Sequence, residues 1–70
     1  MKRYTLLKDK LRKLRRGKLD LFQSEVAERL GVSKRTYIMW ETGKVQPKPE
    51  HLIKLAMLFG NEIYKEEEIR

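Results

Sequence analysis

The sequence predicts an all-α fold, one compact four- to five-helix domain over residues 1–70. Three observations lead there. Apolar residues recur at helical spacing through nearly the whole chain. Gly17, Gly31, Gly43 and Gly60 punctuate that pattern, each just past a helix-length segment. No segment alternates with period two, so no strand is expected.

The first helix is marked by Leu7, Leu11 and Leu14, which form a single stripe at i, i+4 and i+7. Its other face carries Lys8, Lys10, Arg12, Lys13 and Arg16, and Gly17 and Lys18 end it. The second helix packs through Val26, Ala27 and Leu30 and stops at Gly31. Two starts are readable. Ser24 could cap a shorter version, but Asp20 followed by Gln23 resembles a capping box, and it is preferred, giving a helix over about 21–30.

Ser33 is a good N-cap for a third helix from Lys34 to about Thr42, ended by Gly43. Tyr37 and Trp40 face inward with Thr36 beside them; Lys34, Arg35, Ile38 and Met39 face outward. A loop follows from Lys44 to Lys48. Pro49 suits the first position of a fourth helix, whose core stripe is Leu52, Leu55, Ala56 and Phe59. His51 is expected exposed in its first turn. Residues 61–70 allow one short helix, with Ile63 inward and Glu66, Glu67 and Glu68 solvated.

Composition narrows the chemistry. There is no cysteine, which excludes disulfides and thiolate metal sites, and one histidine cannot build a metal centre alone. No metal or other cofactor is expected. The charged N-terminus lacks a signal-peptide pattern, and no run approaches the roughly 20 apolar residues a membrane span needs. A cytoplasmic molecule with no membrane partner is therefore expected. Seventeen basic residues against ten acidic leave a net charge of +7. Residues 1–18 hold nine of the basic side chains and one acidic, so the surplus sits at one end. Such a field attracts a polyanion. An enzyme is not expected: no Gly-rich phosphate loop, nucleophilic Cys or paired His is present.

The informative unit is Gln23 to Lys44. Ala27 is small where two helices must cross, Gly31 turns the chain, Val32 plugs the angle, and Tyr37 and Trp40 anchor the later helix. These features describe a helix-turn-helix over about 21–42, with the first turn of its second helix pushed outward. Gln23, Glu25, Ala27, Leu30, Gly31, Val32, Ser33, Trp40, Glu41 and Gly43, with Leu11, Leu14, Arg15, Pro47 and the run Leu52 to Gly60, resemble the lambda-repressor-like (xenobiotic-response-element, Cro-like) regulators of bacteria and phages. The resemblance covers about residues 7–63.

The resemblance implies a regulator of transcription, a repressor in the first instance, binding double-stranded DNA. It places Lys34, Arg35 and Met39 against bases, Ser33, Thr36 and Ile38 near flanking phosphates, Gln23 on a phosphate, and the loop Thr42 to Lys44 on the DNA backbone. It also implies a structural ion pair between Arg15 and Glu41. The chain departs from the family pattern at Phe22, which replaces a capping Ser or Thr, in a link one residue longer before the second helix, and in the apolar Ile38 and Met39, suited to thymine methyl groups. The basic first helix is read as steering DNA from a distance.

Ile53, Met57 and Leu58 lie off the core stripe of the fourth helix, and Tyr64 is expected to extend their patch; the expected use is a homodimer interface. A rival reading makes the domain an antitoxin-type module that binds a toxin and represses its own operon. A protein partner, toxin or polymerase, is compatible with both. A membrane-surface peptide built on the first helix lacks the bulky apolar face it would need.

Overall fold

The computed structural model describes residues 1–69. In chain order it holds β1 (Lys2–Leu6), α1 (Lys8–Gly17), α2 (Gln23–Leu30), α3 (Lys34–Glu41), α4 (Pro49–Phe59), a single 3₁₀ turn (Asn61–Ile63) and β2 (Tyr64–Glu68). The expected four helices are present and enclose one core. Leu11, Val26, Tyr37, Leu55 and Ile63 are fully buried there, joined by Ala27, Leu30, Trp40, Leu52, Phe59 and Leu6. The helical stripes thus all converge on one interior, and α3 packs against both α2 and α1.

The ends of the chain correct the expectation of no strand. β1 and β2 pair as a two-stranded antiparallel ribbon, with Lys2 opposite Glu68 and Leu6 opposite Tyr64. The segment after Gly60 is one 3₁₀ turn and then strand, in place of a fifth helix. Glu66 and Glu68 are exposed as expected and Glu67 is half-buried, but all three stand opposite cations. Lys2 reaches Glu66 at 2.8 Å, Arg3 reaches Glu67 at 3.1 Å, and the terminal ammonium lies 3.5 Å from Glu68. Tyr4 meets Tyr64 edge-to-face at 5.5 Å. The partners are about 60 residues apart, so neither segment signals a strand alone. The ribbon is fastened to the body at its inner end: Leu7 N–H donates to Ile63 O, and Leu6 N–H donates to Gln46 Oε1 at 3.2 Å.

The second helix begins at Gln23, not near residue 21, and Asp20 does not cap it. Asp20 adopts φ +50° within the link, two residues before the cap position that Phe22 occupies. Arg15 gathers this link: its Nη1 donates to Leu21 O at 2.9 Å, and its carbonyl accepts from Leu21 N–H. Phe22 occupies the cap position without a capping oxygen. Glu25 compensates by accepting the Phe22 N–H at 2.9 Å, which is half of a capping box.

Candidate nucleic-acid interface

The turn between α2 and α3 is three residues, Gly31 to Ser33. Gly31 sits at φ +72°, where a Cβ is strained, and Val32 N–H returns to Ala27 O at 3.0 Å. Val32 packs on the core, so the chain reverses tightly. Ser33 then caps α3, its Oγ accepting Thr36 N–H at 3.1 Å. Ser33 and Thr36 hydroxyls also bond each other at 2.9 Å, leaving one hydroxyl proton of the pair free.

Orientation of α3 is fixed by its buried side. Tyr37 is 0% and Trp40 2% exposed, their rings edge-to-face at 6.3 Å. His51 leans on Trp40, ring centroids 5.2 Å apart, and is half-buried, which corrects its expected exposure. The opposite side of α3 presents Lys34 and Arg35 to solvent with Ile38 and Met39 half-exposed between them. These four, with Thr42 and Lys44, line an open concavity of about 540 Å³. A second concavity of about 480 Å³ lies at the start of α2, lined by Arg16, Phe22, Gln23 and Ser24 among others, with Lys34 on the ridge between the two. Arg16, Phe22 and Ser24 are not among the DNA-contact residues expected from sequence. Their proximity to Lys34 arises from the fold of the link and leaves no trace in spacing.

Beneath this surface lies the Arg15–Glu41 pair that the resemblance implied. Arg15 Nε and Nη2 hold the two carboxylate oxygens at 2.7 and 2.9 Å, with both side chains nearly buried. The hydrogen bonds to Glu41 raise the Arg15 pKa further, keeping it cationic. Burial, the largest single influence, pushes the Glu41 carboxyl upward, but the hydrogen bonds and charge of Arg15 together with the other neighbouring donors outweigh it and hold the group below its usual range. The Tyr37 hydroxyl is buried beside them without a hydrogen-bond partner, and burial raises its pKa. Gln23 reaches the same carboxylate at 3.4 Å, so one salt bridge ties α1, the link, α2 and α3 into one support.

The loop after α3 differs in its available donors from what the resemblance implied. Thr42 N–H bonds Ile38 O, Gly43 N–H bonds Trp40 O, and Lys44 N–H bonds Met39 O. The Thr42 hydroxyl also donates to Ile38 O at 2.9 Å. Among Thr42 to Lys44, the Lys44 ammonium is therefore the donor left to a ligand. Of the residues expected at a dimer contact, Ile53 and Met57 are 62% and 82% exposed, whereas Leu58 and Tyr64 are half-buried against the core. Among the described residues, no group of His, Cys, Asp or Glu is arranged to hold a metal ion, and no helix is long and apolar enough to cross a membrane.

Comparison with known proteins agrees with this geometry. A helix-turn-helix family model matches residues 11–64. The cryptic phage CTXphi transcriptional repressor RstR of Vibrio cholerae is 44% identical over 55 residues, covering 79% of this chain and 49% of the repressor. An uncharacterized HTH-type transcriptional regulator of Methanocaldococcus jannaschii is 40% identical over 57 residues, covering 81% of this chain and 85% of that protein. The chain thus spans about half the length of the first relative and most of the second. No solved structure matches.

Proposed function

The chain belongs to the lambda-repressor-like helix-turn-helix family of DNA-binding transcriptional regulators, and on that premise we propose that it is a sequence-specific repressor acting as a dimer on an operator. The observation that carries the reading is the division of α3 into two sides: Tyr37 and Trp40 are sunk in the core, and Lys34, Arg35, Ile38 and Met39 line an open surface on the other side. An exposed helix face of this kind enters the major groove of B-DNA.

Each side chain has a distinct task. Arg35 is exposed and makes no ion pair among the described residues, so its planar fork is available to O6 and N7 of guanine. Lys34, on the ridge, reaches a base edge or a neighbouring phosphate. Ile38 and Met39 offer apolar contact to thymine methyls and sugars. The free hydroxyl proton of the Ser33–Thr36 pair, the Gln23 amide and the Lys44 ammonium donate to phosphates and set register. Ile53 and Met57 supply the centre of a self-contact, placing two recognition helices about 34 Å apart on one face of the duplex in the cytoplasm.

Selection from random duplexes followed by footprinting tests this. The expected outcome is one enriched motif in two inverted half-sites about one helical turn apart. Uniform recovery of all sequences would exclude base reading. Recovery of a single half-site would keep the reading and remove the dimer. A stoichiometric toxin captured with the chain from its source cell would favour the antitoxin reading.

A further inference from the structure

We propose that Lys8, the first residue of α1, is a DNA-phosphate contact that completes the loop after the recognition helix; this rests on the reading that α3 enters duplex DNA. The loop itself is poor in donors. The N–H groups of Thr42, Gly43 and Lys44 and the Thr42 hydroxyl are all turned inward to carbonyls of α3. A phosphate lying along the loop therefore finds few groups from the loop itself.

Lys8 supplies what is missing. Its side chain lies across Gly43, with Cδ 2.9 Å and Nζ 3.3 Å from the place a Cβ would occupy. Gly43 is thus constrained twice, by φ +78° and by the lysine stem that uses the vacant space. The ammonium is thereby held over Gly43, whose chain neighbours Thr42 and Lys44 line the same concavity as Arg35 and Met39. Among the described residues it makes no ion pair, so its charge is uncompensated.

The position is also held firmly. Leu6 N–H is bonded to Gln46, within the stretch joining α3 to α4, and Leu7 N–H is bonded to Ile63. The two residues before Lys8 are therefore pinned, one to that stretch and one to the core. Such fixing lowers the entropy lost when a lysine meets its ligand. The rest of the basic face of α1 stays a steering field.

Salt dependence of binding to a random-sequence 20-base-pair duplex separates a contact from a field. Lys8→Met keeps the stem over Gly43 and removes the charge. Lys10→Met removes an equal charge about 200° round the helix. The slope of log K against log salt should fall by about 0.9 in Lys8→Met, so that affinity lost between 50 and 200 mM salt shrinks by about threefold. It should hardly change in Lys10→Met, and Lys8→Arg should restore it. Base preference should be the same in all three. Equal slopes for the Met variants would assign the effect to the general field and overturn the Lys8 contact alone. Absence of duplex binding by the wild type would overturn the reading beneath it as well.

Discussion

Arg35 and Arg15 show how the same side chain serves opposite ends. Arg35 is exposed and unpaired among the described residues; Arg15 is locked to Glu41. Arg35→Ala should weaken binding to the selected site by about 1–3 kcal/mol and relax preference at one base pair. Unchanged preference in a repeated selection would remove Arg35 from the base readers. The buried pair has a pH signature instead. Since Glu41 is held below its ordinary value of 4.5, its ionised form stabilises the fold above that pH, and this contribution is lost as pH falls through the lowered value. Arg15→Leu leaves Glu41 nearly buried without its partner and should cost about 3 kcal/mol near neutrality. The deficit should narrow in acid, because the lone carboxyl then accepts its proton readily. Denaturation midpoints from pH 7 to pH 3 check both; a constant deficit would deny the pair its role. The pair was legible only through the family pattern, since 26 residues separate its members. The His51–Trp40 contact was not legible at all: a histidine in a first turn carries no sign of the ring across from it.

Among the elements, the helices could be read because each declares itself locally. Leu11 and Leu14, Val26 and Leu30, or Leu52 and Leu55 all repeat within one or two turns, and Ser33 and Pro49 mark starts by their own chemistry. Ser33→Ala should therefore cost about 1 kcal/mol by removing the acceptor for Thr36 N–H, and urea denaturation would show it. The start of α2 was misplaced because Asp20 looks like a cap in sequence but is held at positive φ by a link fastened to Arg15. The ribbon was invisible for a different reason. Its strands find complementary charge only across the length of the chain, Lys2 and Arg3 against Glu66 and Glu67. Glu67→Lys would set a third cation beside Arg3 and Lys65. Amide exchange in residues 2–6 and 64–68 should then quicken while α2 and α3 keep their protection. Unaltered exchange in the ribbon would mean that backbone pairing and the buried Leu6 hold it without the charges.

At the scale of the whole molecule, the basic surplus lies within the first 18 residues, so α1 brings a cationic flank to the body that carries α3. The apolar pair Ile53 and Met57 lies on α4. Met57→Asp should shift sedimentation toward the monomer and lower operator affinity with no change in half-site preference. A wild type that sediments as a monomer on its operator would remove this interface. Whether α3 is the reader is decided by titrating the isotopically labelled protein with its selected duplex and following each backbone amide by NMR. The largest shifts are expected at Lys34 to Met39 and Thr42 to Lys44, with the amides of Ile53 to Met57 changing little at that step. Shifts centred on the ribbon or on α4, with α3 unmoved, would contradict the assignment of α3 as the helix that enters the groove.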